Sequence, residues 1–511
     1  MADILTTIVE KRKEDISRLG VTFGFDIPEV RQRPLHSFLT EKGVILEVKI
    51  ASPSKGDIAP NLDSAETALS YAKAGAAAIS CLTENNFFKG TLEDLMKVCQ
   101  AADNFEKSSG RKAPAVLRKD FLLYPDEVEI SYRAVADAIL LIARILDEAV
   151  IVEMAKKAAT FGMTCLVEVR SQADLEKLSA LADSVDKKYI VCGVNSRNLA
   201  TFKIDLLKPC SLLTKIREIL GNDARVIFES GIRTPQAAAF AGSLGFTGML
   251  LGEAAAKAPE LRGQLVKAFV EARTTKNAEF WMSVSGNTGL TRHAELVSAS
   301  PMHDIPKQVR DDDFQPLVKI CGLTRAEDVA YADKLGADFV GFIFAAGFAR
   351  NVCGERFEKI LPSLKNIRAK KVAVITDPLS PEADADAQYV EEGLLDCLQL
   401  HGIPYRDVPK NLLALPHYFA ITEKSGNLEQ AAEELFLMGE PRFLQDSKAR
   451  NYAVGHKLWL AGGVTAENAA ELAARLQPEL IDVSSGVEDA EMPGIKNINK
   501  IKKLITSLRG A

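Results

Sequence analysis

The sequence predicts an α/β protein built as two (β/α)8 barrels in tandem, the first carrying an N-terminal helical extension. Three observations carry this: short β-branched runs alternate with amphipathic stretches through the first half, the same rhythm returns in the second, and a segment without sustained period lies between. The strand candidates of the first half are VILEVKI, AAISCLT, AVLRKDF, AILLIAR, TCLVEVR, IVCGVNS, ARVIFES and GMLLGE, eight in all. Between them, stretches such as SAETALSYAKAGA and SQADLEKLSALADS place apolar residues three and four apart and often open on Ser, Asp or Thr, residue types that cap helices. Eight such units over about 250 residues point to a closed parallel barrel of the TIM type, and the dinucleotide signature GxGxxG is absent.

The second half repeats the pattern in LVKICG, FVGFIF, KKVAVIT, CLQLHG, HYFAIT, RFLQDS, LWLAGG and LIDVSSG, again eight. Residues 276–315, with Gly, Pro, Ser and three consecutive Asp, read as a linker or insertion; a helical portion packed on a barrel is the alternative. The expected organisation is therefore a first barrel over 1–275 and a second over 316–511.

Composition narrows the function. The chain is 47% hydrophobic and 26% charged with a net charge of −6, and it has no basic tract, which argues against nucleic acid or a membrane surface as partner and for a small molecule. A monomer is left open. The N-terminal MADILTTIVEKRKEDISRL has helical spacing and lacks the apolar core of a signal peptide, so the cytoplasm is expected. Eight cysteines are sparse, and Cys81, Cys165, Cys192 and Cys397 sit in apolar runs as small hydrophobes, so no disulfides are expected. Without CxxC or HExxH no metal site is expected.

Barrel chemistry sits at the C-terminal ends of strands, and in the first half those ends are charged. Glu47 and Lys49, two apart, share a face; Lys119, Glu168, Asn195, Arg197 and Glu229 follow at later strand ends. Strands one, three, five and seven would gather two lysines and three carboxylates in one cup, either as a salt-bridge network closing the barrel or as a catalytic set. Ser230 and Gly231 after strand seven, and Gly252 and Glu253 after strand eight, occupy the usual phosphate position of the architecture. Ser52, Pro53, Ser54 and Lys55 after strand one read as a further anion loop or as a solvated turn.

EVKIASPSKG, VLRKDF, LVEVR, GVNSRNL and ESGI, in this order over roughly residues 1–270, resemble indole-3-glycerol-phosphate synthase. The resemblance implies that Lys119 is the general acid on the substrate ketone, Lys49 holds the substrate carboxylate and Glu168 acts as acid and base in dehydration. It places Glu47, Asn195, Arg197 and Glu229 in the same pocket, Phe88 and Phe121 against the aromatic ring, and Ser52, Ser230, Gly231, Gly252 and Glu253 around the phosphate. A lysine among other cations would have its pKa lowered towards the range of a useful acid.

KICGLTR, with GFIF, LQLHG and DVSSG downstream, resembles phosphoribosylanthranilate isomerase over about residues 315–511. Cys321 alone on an apolar strand would read as packing. The resemblance instead implies that Cys321 is the general base of an Amadori rearrangement and Asp446 the general acid that opens the ribose ring. It further implies that Arg350 holds the anthranilate carboxylate, that Gln399 and His401 line the pocket, and that Gly462, Gly463, Ser484, Ser485 and Gly486 hold phosphate. Two departures stand out: FARNV where the family has an SPRYV-like stretch, and SKARNYAVGHK in place of its Gly-rich loop after the aspartate. Both implied reactions act on phosphosugars without redox chemistry, so no cofactor is expected. A synthase with an inactive second barrel, and a phosphosugar-binding regulator or scaffold, remain the alternatives at this point.

Overall fold

The structure, a computed structural model, describes residues 4–53, 56–198, 203–286, 315–448, 452–453 and 455–509. The chain divides into two compact units that meet at Thr274 and Thr275. Each encloses a closed barrel of eight parallel strands in sequential order.

In the first unit the barrel strands are β1 (Gly43–Val48), β4 (Ala78–Leu82), β5 (Ala115–Lys119), β6 (Ala138–Ile142), β7 (Thr164–Val169), β8 (Ile190–Asn195), β9 (Val226–Glu229) and β10 (Gly248–Leu251). A small antiparallel ribbon, β2 (Ala51–Ser52) with β3 (Gly56–Asp57), interrupts the loop after β1. All eight expected strands of this half are present. Helix starts follow the cap chemistry: Asp63, Thr91 and Thr234 accept from backbone N–H groups of their first turns, and Ser171 with Asp174 forms a reciprocal capping box. Phe38 and Leu39, both buried, join Ile45, Leu117, Leu166 and Ile227 in the cluster that fills the barrel.

The N-terminal helix Ile4–Leu19 is fastened by charge. Its Arg12 is buried and meets Asp120 at 2.8 Å and Glu127 at 2.5 Å, while Arg118 reaches Asp120 at 3.1 Å. Alternation along β5 explains the division of labour: Arg118 points outward into this buried network, and its neighbour Lys119 points into the barrel.

The second barrel comprises β11 (Leu317–Cys321), β12 (Phe339–Phe344), β13 (Lys370–Ile375), β14 (Cys397–His401), β15 (His417–Thr422), β16 (Phe443–Asp446), β17 (Trp459–Ala461) and β18 (Leu480–Val483). These are the eight runs read from the sequence. At the start of the segment expected to be linker, the alternative of a helix packed on a barrel holds. Residues 276–286 form a helix, Lys276–Gly286, that belongs to the second unit, and residues 287–314 lie outside the described residues. Thr275 caps it through a bond from the Ala278 N–H, and Ala278, Phe280, Trp281 and Val284 are all buried. Ala278 to Trp281 and Phe280 to Val284, three and four positions apart, were the available signal; the polar tail that follows masked it.

This helix closes the barrel floor. Trp281 packs against Trp459 at the start of β17, ring centroids 5.7 Å apart, and Trp459 in turn meets Phe339 and Tyr418. Asn277 accepts from the His417 N–H, and Lys276 donates to the Glu391 carbonyl at 2.7 Å. The chain has only two tryptophans, and they form this contact. Trp281→Ala is therefore expected to destabilise the second unit by about 3–5 kcal/mol. Urea unfolding followed by the fluorescence of the remaining Trp459 should show an earlier transition, with synthase activity persisting beyond it.

Candidate active sites

In the first unit every site residue read from the sequence lies on one cleft of about 220 Å3 at the C-terminal rim: Glu47, Lys49, Ser52, Phe88, Lys119, Phe121, Glu168, Asn195, Arg197, Glu229, Ser230, Gly231, Gly252 and Glu253. Ser54 and Lys55 lie outside the described residues. Strand register brings the charges together: Glu168 is opposite Gly193, and Asn195 is opposite Glu229. Gly193 has a spatial reason, because a Cβ there would come within 2.1 Å of the Glu229 carboxylate.

Lys49 is ion-paired with Glu47, and the Lys119 ammonium donates to Glu229 Oε2 at 3.0 Å. One oxygen on each of Glu47 and Glu229 is buried without a hydrogen-bond partner, so both carboxylates keep acceptor capacity. Cations do not lower Lys119, contrary to the expectation. Burial works in that direction, but Glu229, Glu47 and Glu168 together outweigh it and hold the lysine above its usual value. Glu168 is also opposed by burial, yet Arg170 and Lys119 keep it below the usual carboxylate range, whereas burial and Glu168 push Glu229 above it.

Two features of this site were missed in the sequence. Arg170, two residues after Glu168 and so on the same face, donates to its Oε1 at 2.7 Å. Strand period could have found it. The N-terminal helix contributes Leu5 and Ile8 to the cleft wall, which local spacing could not reveal. That helix also steadies the aromatic loops. Asp15 accepts from Asn86, Glu84 accepts from the N–H groups of residues 86, 87 and 88, and Phe88 lies 6.0 Å from Phe121.

After β9, Ser230 and Gly231 both take the left-handed conformation, at φ 73° and 86°. Holding a serine there costs backbone energy, and the turn is buttressed by the Ser196 hydroxyl donating to the Ser230 carbonyl. Gly252 lies so close to Glu47 and Lys49 that a Cβ would meet them at 2.6 and 3.1 Å. Glu253 is ion-paired with Lys257 at 2.9 Å, and the Asn195 side chain accepts from the Arg197 N–H.

In the second unit Cys321 ends β11 and is buried, directly opposite Gly341 of β12. A Cβ at Gly341 would meet the Cys321 sulfur at 2.8 Å and the Lys319 side chain at 3.0 Å, so the two side chains lie side by side above it. Burial pushes the thiol up, against the pull of Lys319 and Lys496. Lys319 is fully buried and bonds Asp482 at 2.8 Å and Gln399 at 2.5 Å. Lys319 and Cys321 are two apart on β11 and so share a face, the same spacing that joins Glu47 and Lys49.

Asp446 ends β16, where its Oδ2 lies 3.8 Å from His401 Nε2, and burial holds it above the usual carboxylate range. Gly462 follows β17 where a Cβ would meet Ser447 and Asp446 at 2.7 and 2.8 Å, and Gly463 lies beside it, both at positive φ. After β18, Ser484 keeps a buried hydroxyl without a partner, and Ser485 and Gly486 form a short 3-10 turn. Arg350 is held by Glu488 through three bonds, at 2.8, 3.1 and 2.6 Å. Lys496 reaches the same carboxylate at 2.6 Å. Glu488 was not foreseen. In the loop after Asp446, residues 449–451 and 454 lie outside the described residues.

Among the described residues no cluster of metal-binding side chains occurs and no helix is long and apolar enough to cross a membrane. No disulfide joins the eight cysteines, all of which lie among the described residues.

Comparison with known proteins agrees with both halves. The indole-3-glycerol phosphate synthase family matches residues 5–268, and the N-(5'phosphoribosyl)anthranilate isomerase family matches residues 318–507. The indole-3-glycerol phosphate synthase of Rippkaea orientalis is 34% identical over 270 residues, covering 50% of this chain and 86% of that protein. A tryptophan biosynthesis protein of Phytophthora nicotianae is 27% identical, covering 87% of each chain. A multifunctional tryptophan biosynthesis protein of Phycomyces blakesleeanus is 27% identical over 90% of this chain, which spans 62% of that protein's length. The chain belongs to the indole-3-glycerol phosphate synthase family and joins that barrel to a phosphoribosylanthranilate isomerase barrel, as a bifunctional enzyme of tryptophan biosynthesis.

Proposed function

We propose that the second barrel isomerises N-(5-phosphoribosyl)anthranilate to 1-(2-carboxyphenylamino)-1-deoxyribulose 5-phosphate. The first then cyclises and decarboxylates this product to indole-3-glycerol phosphate, so the reactions run against the order of the domains. The synthase domain comprises residues 1–275 and the isomerase barrel 316–511, with the helix Lys276–Gly286 serving the latter. The cytoplasm is the proposed compartment, consistent with eight cysteines that form no disulfide.

The observation that carries this reading is the convergence of Lys119, Glu47, Glu168 and Glu229 in one cleft. Binding a phosphosugar needs cations and N–H donors but no carboxylates, so the acidic groups speak for proton transfer and against a mere binding scaffold. In the synthase, Lys119 protonates the ketone oxygen as the ring carbon attacks, and Lys49 holds the carboxylate until it leaves as CO2. The neighbouring carboxylates keep Lys119 charged and therefore able to donate. Glu168, ionised beside Arg170, removes a proton and returns it to the departing hydroxyl in dehydration. Phe88 and Phe121 flank the aromatic ring, with Asn195, Arg197 and Glu229 around the sugar. Ser52, Ser230, Gly231, Gly252 and Glu253 surround the phosphate.

In the isomerase, Asp446 gives its proton to the ribose ring oxygen as the C1–O bond breaks, and the nitrogen lone pair fills the gap to form an iminium. Cys321 then removes the C2 proton, and the resulting enolamine tautomerises to the ketone. The order is physical: the resting thiol is held up by burial, and the cation formed by ring opening draws it down. Arg350 would bind the anthranilate carboxylate by exchanging Glu488 for it. The unpartnered Ser484 hydroxyl, with Gly462, Gly463, Ser485 and Gly486, suits a phosphate.

The full-length chain supplied with phosphoribosylanthranilate should yield first the rearranged intermediate and then the indole. Failure to rescue a strain lacking only the isomerase would favour a synthase with a silent second barrel.

A further inference from the structure

Gln399 stands at the centre of the polar interior of the second barrel. Two donors converge on its side-chain oxygen, the Lys319 ammonium at 2.5 Å and the Tyr418 hydroxyl at 2.9 Å. Its other end faces Nδ1 of His401 at 3.0 Å. An ammonium has hydrogens and no lone pair, so the atom of the amide that faces Lys319 must be the oxygen. The NH2 group then points at the imidazole and needs an acceptor there. Nδ1 therefore carries a lone pair, and a neutral His401 holds its hydrogen on Nε2, the nitrogen 3.8 Å from Asp446.

We infer that Lys319 and Gln399 are positioning residues of the isomerase, locking His401 as the Nε2–H tautomer so that it donates to Asp446 as that carboxyl gives up its proton. The inference rests on the isomerase reading above. At 3.8 Å the resting contact is longer than a hydrogen bond, and it would tighten as charge develops on the aspartate. Support thus goes to the transition state more than to the ground state. The opposite tautomer would present a lone pair to Asp446 and accept the very proton meant for the substrate. Burial favours the neutral ring, holding His401 below its usual value.

The charged groups facing this pair come from several strands. Lys319 of β11 and Asp482 of β18 lie beneath it, with Lys424 beyond β15 and Lys448 beyond β16. Lys319 is itself held charged by Asp482, its cross-strand partner, against the cost of burial. The orientation of Gln399 is thus set from the base of the barrel and not by solvent.

Two measurements on the full-length protein test this. Imidazole 15N spectra, with His401 assigned by comparison with His401→Asn, should show Nδ1 unprotonated and Nε2 protonated at neutral pH. A protonated Nδ1 in the unaltered chain would overturn the inference. Gln399→Glu keeps the size and the bond to Lys319 but offers only acceptors, so it should move a proton onto Nδ1. Isomerase kcat should then fall roughly a hundredfold with KM within about twofold, and its pH profile should shift. A loss of kcat with an unchanged pH profile and unchanged nitrogen signature would mean a merely structural role and would sink the proposal. If the unaltered chain shows no isomerisation, or Asp446→Asn leaves it intact, the isomerase reading itself fails.

Discussion

Lys119→Ala abolishes indole formation and leaves isomerisation of phosphoribosylanthranilate intact: this is the expected result, with the rearranged intermediate accumulating in an assay of the full-length chain. Lys119 carries the one ammonium that bonds Glu229, and its charge is felt by Glu168 as well. Removing it takes away the proton donor, for which a loss of about 10²–10⁴-fold in kcat is typical. It also leaves Glu229 without its cation, so the carboxylate should take up a proton. The pH dependence follows from the sign of the shift. Because Lys119 is held above the usual lysine value, its charge and the stabilisation it lends are complete below that value. They fade only as the pH climbs past the raised one. Any alkaline limb of synthase activity near neutrality must therefore come from another group. Loss of both activities from a folded Lys119→Ala protein would refute the assignment of one site to each barrel.

The barrels were legible because strand and helix periods differ, and because charge at a strand end is conspicuous against an apolar run. Glu47, Lys119, Glu168 and Glu229 stood out for that reason, and the cleft unites them. What local pattern hides is any partner brought by the fold from far along the chain. Arg12 reaches Glu127 across 115 positions, and Arg350 reaches Glu488 across 138. Neither spacing has a sequence signature. Lys319 and Asp482 are a different case, since each sits in a strand that was correctly read. A charge in the middle of LVKIC or LIDV is an anomaly in a fully buried strand, and it implies a buried partner of opposite sign. The helix Lys276–Gly286 was obscured by its neighbours, because its apolar face is short and a polar stretch follows at once.

Cys321→Ala should have the reverse effect, ending isomerisation while synthase turnover of supplied 1-(2-carboxyphenylamino)-1-deoxyribulose 5-phosphate stays at the level of the unaltered chain. The sulfur is the one group at the end of β11 that can accept a proton, since Lys319 beside it is already charged and paired with Asp482. Alanine leaves a small void, with a stability cost of about 1 kcal/mol, so the variant should stay folded. The expected loss in isomerase kcat is at least about 10²-fold, with KM little changed because the thiol is asked to move a proton and not to hold the phosphate or the carboxylate. Cys321→Ser is the sharper comparison. A hydroxyl fits the space, but its far higher pKa makes it a poor base in the same buried setting, so serine should keep the packing without restoring turnover. Activity retained in Cys321→Ser would show that the sulfur is packing, and the base would then have to be sought among the other groups of the second barrel.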